Sequence, residues 1–341
     1  MKKNFIIISN GGGGIATFQY YLIKNIINRK DRVFLIDKKK NHTLKYFNKS
    51  EKKKINTFFC NPLYEQSKVK KHIKILKKNY GKLIFLFNNP TLLALYFIFI
   101  KLHFRYEKIN LVLHSNILNL KTSQILINFA SSLFSHFIDK VYFVSKFTKK
   151  WWLKYFFFYN FSNHRVFYNS VKIPKIINKR NNRTTIGFVG RLEKEKGIHI
   201  FSNIAKSLIK YNFHFEIFGN GSFKKKIFKH KNIKINDWMK QENIYKKIDI
   251  LLVTSPTENC PFTVLEAKSY GIPTVSISRG GIKEIVKNNH NGIILKNYDF
   301  DLIKNAIFKI SKNLHKFKKN CLLDRKKYNE KIIFKKFLNE I

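Results

Sequence analysis

Acidic residues, cysteines and long apolar runs are scarce in this chain of 341 residues. Three widely spaced cysteines, Cys60, Cys260 and Cys321, form no CxxC pair. Their spacing excludes a disulfide framework or cysteine zinc site and favours a reducing cytoplasm. The longest apolar run, residues 91–100, ends at Lys101 and falls short of the ~20 residues that cross a bilayer. It therefore predicts a buried helix, with a membrane-surface helix as the alternative.

The charge of the chain is strongly one-sided. Aspartate and glutamate number 20 against 67 lysines and arginines, and the formal net charge is +47. One interpretation is a polyanionic partner such as nucleic acid, an anionic membrane or a phosphate-bearing substrate. The other is a compositional bias toward lysine, asparagine, isoleucine and phenylalanine. A hydrophobic content of 44% excludes a mostly disordered protein, and the length favours two domains.

Short apolar runs alternate with longer helical stretches, and the alternation restarts after a basic segment at residues 174–183. The predicted elements include strands at 213–218 and 250–253 and helices at 122–137 and 222–230, and none is predicted between residues 37 and 82. Uninterrupted apolar strands between helices predict parallel sheets covered on both faces. The fold class is therefore α/β, with two doubly wound Rossmann-like domains and a ligand in the cleft between them. We assign residues 1–174 and 175–320 to these domains and residues 321–341 to a C-terminal helix that packs back on the first.

A glycine-rich segment, Asn10 to Gly14, follows the first predicted strand and opens the first helix. Glycines allow backbone N–H groups to approach an anion, and the start of a helix adds partial positive charge. Asp37 ends the second predicted strand, where a dinucleotide site would need an acid. This segment alone therefore leaves a nicotinamide-dependent oxidoreductase open.

A second glycine-bounded turn runs from Gly190 to Gly197, after the first strand of the second domain. Arg191 can hold two oxygens of a diphosphate at once, and Lys196 supplies a compact charge at the start of a helix. Lys194 has no such position and belongs to the general basic background.

Two glutamates, Glu258 and Glu266, stand eight positions apart around a predicted strand–loop–helix turn. Pro261 suits the first helical position, because its missing N–H would be unsatisfied there anyway. Glu258, in the loop, can accept hydrogen bonds from sugar hydroxyls, and Glu266 from the vicinal hydroxyls of a ribose. The N–H groups predicted to point toward a phosphate belong to Phe262, Thr263 and Val264.

These motifs together resemble those of the GT-B-type glycosyltransferases of glycosyltransferase family 4. The matching positions are the glutamate pair, Gly190 to Gly197, Gly219 to Gly221, Gly280 to Glu284, the first-domain glycine loop and His114. One departure from the family pattern is the turn after Glu258, where the family commonly has a glycine and this chain has Asn259 to Phe262. The resemblance covers essentially the whole chain and is more specific in the second domain.

The resemblance implies a retaining, hexosyltransferase-like transfer from a nucleotide-diphosphate sugar, with a UDP-linked donor and neither an obligatory metal nor a separate cofactor. Arg191 and Lys196 would stabilise the leaving diphosphate as oxyanion donors do. Glu258 would hold the donor sugar and Glu266 the ribose, so neither would be a general acid. His114 would contact the sugar from the opposite wall.

The resemblance also implies that Gly13 and Gly14 let the first-domain backbone reach the phosphates or the acceptor. We expect a glycan or glycolipid acceptor, such as a lipopolysaccharide core, at the inner face of the cell membrane. Trp151 and Trp152, beside two lysines, would suit its anionic surface or simply form an apolar helix face. The alternative function is a non-enzymatic polyanion or nucleic-acid binder on the same fold. The scattered basic residues and the intact cleft motif argue against it, so nucleic acid is not the expected partner.

Overall fold

The computed structural model describes residues 2–38, 43–114, 122–175, 183–277 and 279–341, which divide into two compact units. The first unit comprises Met1–Asn169 and Lys331–Ile341, and the second comprises Ser170–Glu330. These boundaries lie near the predicted ones at 174/175 and 320/321. The predicted linker falls mostly outside the described residues.

Seven parallel strands form the sheet of the first unit, in the order β3-β2-β1-β4-β5-β6-β7. Side chains of the central strands are buried on both faces, as their continuous apolar sequences predict. The strands are β1 Asn4–Ile8, β2 Arg32–Asp37, β3 Ile55–Phe59, β4 Ile84–Phe87, β5 Lys108–Leu113, β6 Lys140–Phe143 and β7 His164–Val166.

Helices cover both faces of this sheet. One apolar cluster joins Ile73, Phe143 and Trp152, so helices from two parts of the chain share that face. Tyr142 points to the opposite face, because neighbouring residues of a strand alternate. The helices before the second unit are α1 Gly14–Asn28, α2 Lys49–Lys52, α3 Gln66–Tyr80, α4 Pro90–His103, α5 Thr122–Leu133 and α6 Lys146–Tyr155.

A six-stranded parallel sheet, in the order β10-β9-β8-β11-β13-β15, forms the second unit, and β12 pairs separately with β14. Its strands are β8 Thr184–Val189, β9 Phe213–Phe218, β10 Ile233–Asn236, β11 Ile250–Val253, β12 Thr257–Glu258, β13 Thr274–Ser276, β14 Arg279–Gly280 and β15 Gly292–Ile294. Its helices are α7 Ile198–Ser207, α8 Gln241–Tyr245, α9 Phe262–Ser269, α10 Ile282–Ile285, α11 Phe300–Lys312 and α12 Leu314–Asp324.

The last helix, α13 Glu330–Glu340, completes the core of the first unit. Its Phe334 ring lies 5.5 Å from that of Phe18 on α1, and Phe337 lies 4.6 Å from Tyr142. The Lys140 ammonium donates to the carbonyl of Glu340 at 2.9 Å. The N-terminal sheet therefore uses the end of the chain to cover the face that carries Tyr142.

Each sheet has a topological switch point, where the connections from two adjacent strands lead to opposite sides of the sheet. Strand β1 lies between β2 and β4, and β8 lies between β9 and β11. Ligands of such sheets bind outside the carboxyl ends of the strands at this point. The predicted doubly wound α/β class is confirmed. The first-domain glycine loop follows β1, Arg191 and Lys196 follow β8 and Glu258 follows β11, all at the switch points, whereas His114 follows β5, one strand further along.

One predicted helix, residues 222–230, is wrong. The structure has only a short 3₁₀ turn there, Lys224–Lys226. The backbone N–H of Phe228, which a helix would bond to the carbonyl of Lys224, donates instead to the Ser202 hydroxyl at 2.9 Å. A tertiary contact thus takes a donor that the helix would have used.

Candidate active site

The turn after β8 presents Arg191 to solvent. The Gly190 N–H donates to Phe218 O at 3.1 Å, which ties the turn to the end of β9. The Arg191 guanidinium pairs with Glu195, and their side chains are 56% and 61% exposed. Exposed ion pairs of this kind contribute only about 0–1 kcal/mol. A phosphate can therefore replace the carboxylate at little cost.

Lys196 and Glu258, predicted to contact different parts of a donor, lie in direct contact. Lys196 Nζ is 2.7 Å from Glu258 Oε1, and the Ser255 hydroxyl donates to the same oxygen at 2.8 Å. The Glu258 side chain is only 14% exposed, so water screens this pair less than the Arg191 pair. Ser255 was not predicted, although it stands in the loop that carries Glu258.

A glycine makes the close approach of these two segments possible. Gly197 has φ +71°, and a Cβ there would lie 2.2 Å from the carbonyl oxygen of Thr254. The Thr254 hydroxyl donates to Gly197 O at 2.8 Å. The loop after β11 is thereby fixed against the turn that carries Lys196.

The backbone of Glu258 is held from its other side. β12 pairs in parallel with β14, which sets Glu258 opposite Gly280. The Gly281 N–H donates to Glu258 O at 2.8 Å. The segment from Gly280 to Glu284, singled out in the sequence, therefore positions Glu258 through its backbone.

Helix α9 begins one residue later than predicted. Pro261 is the residue that precedes the helix, with φ −70° and ψ 124°, rather than its first residue. Phe262, Thr263 and Val264 form the first turn, whose N–H groups have no acceptor within a helix. This end carries the partial positive charge that attracts phosphates. Phosphate binding by these residues remains a prediction.

Glu266 lies in the second turn of α9 and is only 8% exposed. Gln241 Nε2 donates to Oε1 at 2.6 Å, and the Tyr245 hydroxyl donates to Oε2 at 2.7 Å. Burial raises the pKa of this carboxyl to about 7. Neither partner was predicted, and both belong to α8. The two hydrogen bonds thus fix the carboxyl group in place, and burial makes it harder to ionise than an exposed glutamate.

Lys268 is a buried cation on the same helix, and sequence reasoning missed it. Its ammonium donates to the carbonyl of Ile285 and lies 5.2 Å from the centre of the Tyr328 ring. Burial lowers its pKa to about 8. Lys268 therefore joins α9 to α10 and to the segment around Tyr328.

In the first unit, His114 follows β5 and packs edge-on against Phe18, with ring centres 4.7 Å apart. Its Nε2 lies 3.3 Å from Asn88 Oδ1, at the end of the neighbouring strand β4. Burial lowers its pKa to about 3, so the ring is neutral at physiological pH. A neutral histidine can accept or donate a hydrogen bond but provides no charge.

A cavity of about 170 Å³ opens beside His114. It is several times larger than a water site requires. The described side chains around it are uncharged, and they include four carboxamides: Asn88, Asn89, Gln124 and Asn128. Asn88 is 5% exposed, and its Nδ2 has no hydrogen-bond partner among the described residues. The cavity wall is therefore polar but uncharged.

The predicted glycine loop borders this cavity. Gly13 precedes α1 with φ +57°, a conformation that favours glycine, and Gly14 begins the helix. Ile15, the next residue, contributes to the cavity wall. The structure thus brings Gly13, Gly14 and His114 to one end of the first sheet. Their contacts with a donor or an acceptor stay predictions.

The two tryptophans behave as an apolar helix face. Trp152 is 1% exposed and belongs to the core, while Trp151 is half-buried and packs against Tyr155 with ring centres 4.6 Å apart. The interpretation that Trp152 contacts an anionic membrane surface is therefore wrong. Within the described residues, no helix is long and apolar enough to cross a membrane, and no three ligating side chains cluster as a metal site would require.

Comparison with known proteins confirms the resemblance read from the motifs. Residues 169–325 match the model of the family "Glycosyl transferases group 1". The chain is 28% identical over 162 residues to the UDP-Gal:alpha-D-GlcNAc-diphosphoundecaprenol alpha-1,3-galactosyltransferase of Escherichia coli. The aligned region covers 43% of this chain and 42% of that protein. It is 31% identical over 146 residues to the lipopolysaccharide 1,6-galactosyltransferase of Salmonella typhimurium, covering 37% and 40%. The aligned regions thus span less than half of these relatives.

Solved structures resemble the chain over nearly its whole length. Anabaena HepE in complex with UDP gives a TM-score of 0.79 at 16% identity and covers 99% of both chains. Sucrose-phosphate synthase from Thermosynechococcus elongatus gives 0.82 at 14% identity, covering 99% of this chain and 98% of that one. The fold is that of the GT-B glycosyltransferases.

Proposed function

We propose that the chain is a retaining glycosyltransferase, hexosyltransferase-like and metal-independent, that moves a sugar from a UDP-linked donor to a surface-glycan acceptor. The observation that carries this proposal is the Lys196–Glu258 contact at the switch point of the second sheet. A cation and a carboxylate in direct contact can bind the phosphate and the hydroxyl groups of one ligand. The match of this unit to the group 1 glycosyltransferases supports it.

In the proposed reaction, the bond between the sugar C1 and the diphosphate oxygen breaks while the acceptor oxygen bonds to C1. The acceptor proton passes to the departing nucleoside diphosphate. Arg191 and Lys196 stabilise the negative charge that grows on that leaving group, so no metal is required for this task. The start of α9 receives a phosphate, Glu266 the ribose and Glu258 the sugar hydroxyls.

The acceptor is proposed to be a glycan or glycolipid of the lipopolysaccharide-core type. The names of the Escherichia coli and Salmonella relatives support this class of acceptor. The carboxamides around the first-unit cavity suit a neutral, hydroxyl-rich group. Such an acceptor is attached to a membrane, and we propose that the chain works at the inner, anionic face of the cell membrane.

Thermal unfolding with candidate donors tests this function. A ligand that binds only the folded state stabilises it by about 2.7 kcal/mol at a hundredfold excess over its Kd. We expect UDP and UDP-hexoses to raise the midpoint of unfolding, and an acceptor glycan to cause release of UDP. The set should include ADP-, GDP- and UDP-linked sugars. No stabilisation by any nucleotide sugar would contradict the proposal.

A further inference from the structure

Helix α5 has its polar and apolar sides reversed relative to an ordinary surface helix. Four of its five large apolar side chains, Ile125, Leu126, Phe129 and Leu133, are exposed by 41–66%, and Ile127 is half-buried. Its buried polar side chains, each at most 4% exposed, are Asn128, Ser131 and Ser132. Water-facing helices normally carry the opposite pattern, so the outward side of α5 has the composition of a contact surface.

The apolar surface continues onto two neighbouring 3₁₀ turns. The Phe129 ring lies 5.7 Å from that of Phe158, which lies 6.2 Å from Phe157. Phe157 in turn lies 5.2 Å from Phe161. Exposed Phe137, on the turn after α5, adjoins His136, whose ring contacts the carbonyl of Phe161 at 3.2 Å. We call this surface, from α5 through residues 134–137 and 157–161, the apolar face.

Lysines border the apolar face. Residues 122–161 contain five lysines and a single acidic residue, Asp139, whose carboxylate accepts from the Ile109 N–H at 2.8 Å. Lys150 and Lys154 are exposed on α6, and the Lys154 ammonium lies 5.3 Å from the ring centre of exposed Tyr155. Cations near exposed aromatic rings match a surface that is apolar below and negatively charged above.

We infer that the apolar face inserts into the headgroup region of an anionic lipid bilayer. Contiguous exposed apolar surface marks a site that another phase or molecule covers. Phenylalanine and leucine side chains form the lipid-facing side of segments that lie in a membrane interface, and each nearby lysine adds attraction to anionic lipids. A second copy of a chain with net charge +47 would be repelled, whereas an anionic bilayer neutralises that charge.

This inference rests on the proposed membrane-attached acceptor and adds the surface that makes contact. Helix α5 links the two features, because Gln124 and Asn128 contribute to the cavity while Leu126 and Phe129 are exposed. The face differs from the surface expected at Trp152, which is buried in the core.

Vesicle flotation tests the inference directly. The wild-type chain should float with vesicles of phosphatidylglycerol and phosphatidylcholine, and Leu126→Gln/Phe157→Gln should bind them at least ten-fold more weakly. Lys150→Glu/Lys154→Glu should lose the preference for anionic over neutral vesicles. The matched control is Leu323→Gln/Ile332→Gln, which alters two side chains of similar exposure (64% and 61%) outside the apolar face and should bind as the wild type does.

Stabilisation by UDP, measured on the same variants, separates this inference from the proposed function. Retained UDP stabilisation with lost vesicle binding supports the apolar face. Failure of the wild type to bind anionic vesicles, equal loss in the control, or a wild-type dimer that Leu126→Gln/Phe157→Gln dissociates would overturn it. Any of these results, with UDP stabilisation intact, leaves the proposed glycosyl transfer standing.

Discussion

Lys196 and Glu258 hold each other in position, although the motifs suggested separate contacts with a donor. The ammonium has three donors, and Glu258 Oε1 already accepts from Ser255 and Lys196. A nucleotide sugar can therefore bind without breaking the contact, because the ammonium and the carboxylate each keep unused hydrogen-bonding capacity. The pair thus fixes the geometry of both groups before a ligand arrives.

We expect Lys196→Ala to reduce glycosyl transfer by about 100-fold, the usual effect of losing one charge stabiliser. The loss should appear in kcat and in stabilisation by UDP, because the proposed function assigns the ammonium to the diphosphate. Lys194→Ala is the matched control, since it removes an exposed lysine from the same turn. Equal activity of the two variants, measured as UDP release, would contradict the assignment.

Glu266 makes folding stability depend on pH. Its pKa of about 7 lies above the unfolded value, so the folded state binds the extra proton between about pH 4.5 and 7. Stability from this group is complete below pH 4.5 and is lost as the pH rises through 7. The full effect is on the order of 3 kcal/mol.

We therefore expect Glu266→Gln to flatten the decline in the free energy of unfolding between pH 5 and pH 8. Denaturant titrations at several pH values measure this, with the variant compared to the wild type. Glu195→Gln, which removes an exposed glutamate of the same unit, should leave the wild-type slope unchanged. An identical slope in Glu266→Gln would show that another group controls the transition.

At the scale of elements, the site depends on how closely the loop after β11 approaches the turn before α7. Gly197→Ala should cost about 1–3 kcal/mol of stability from overpacking against Thr254, beyond the backbone strain. Gly197 has φ +71° and ψ 24°, the left-handed helical conformation, so an alanine there also carries a backbone strain of about 1–2 kcal/mol.

The loss of stability in excess of this backbone strain, measured by thermal unfolding, reports the close approach itself. Gly197→Ala should also weaken UDP stabilisation, because displacement of the Thr254 loop moves Glu258. A loss no larger than the backbone strain, with UDP binding unchanged, would mean that the two segments are not tightly coupled.

Buried apolar strands were predictable because their composition is unambiguous. Predictions for β9 and β11 match the structure at both ends. β3 and α3 were missed: β3 is an edge strand with mixed burial, and lysines hide the helical spacing of α3. In α3 the buried side chains Val69, Ile73 and Leu76 recur at helical intervals, so this signal was present in the sequence.

The site was predictable only where motif residues neighbour one another along the chain. Gln241 and Tyr245 reach Glu266 from α8, across 25 and 21 positions. Their pairing depends on how α8 packs against α9, and no local spacing encodes this. The partly inverted helix α5 shows the opposite limit: its apolar spacing predicted a helix but not which side would face water.

The net charge of +47 acts on the whole molecule. The 20 acidic residues are already subtracted in this figure, so ion pairs leave all of it uncompensated, and pairs such as Lys246–Glu242 are themselves exposed. Uncompensated like charges destabilise a compact state through mutual repulsion. Salt shortens the range of that repulsion from about 30 Å at 0.01 M to about 8 Å at 0.15 M.

We expect the midpoint of thermal unfolding to rise as sodium chloride increases from 0.01 M to 0.15 M, because screening relieves repulsion mainly in the folded state. Arg191→Gln/Lys196→Gln separates general screening from anion binding at the candidate site. Sulfate at matched ionic strength should stabilise the wild type more than chloride does, and the variant should lose this excess while keeping the chloride response. A midpoint that falls over the chloride range would mean that stabilising ion pairs outweigh the repulsion of the excess charge.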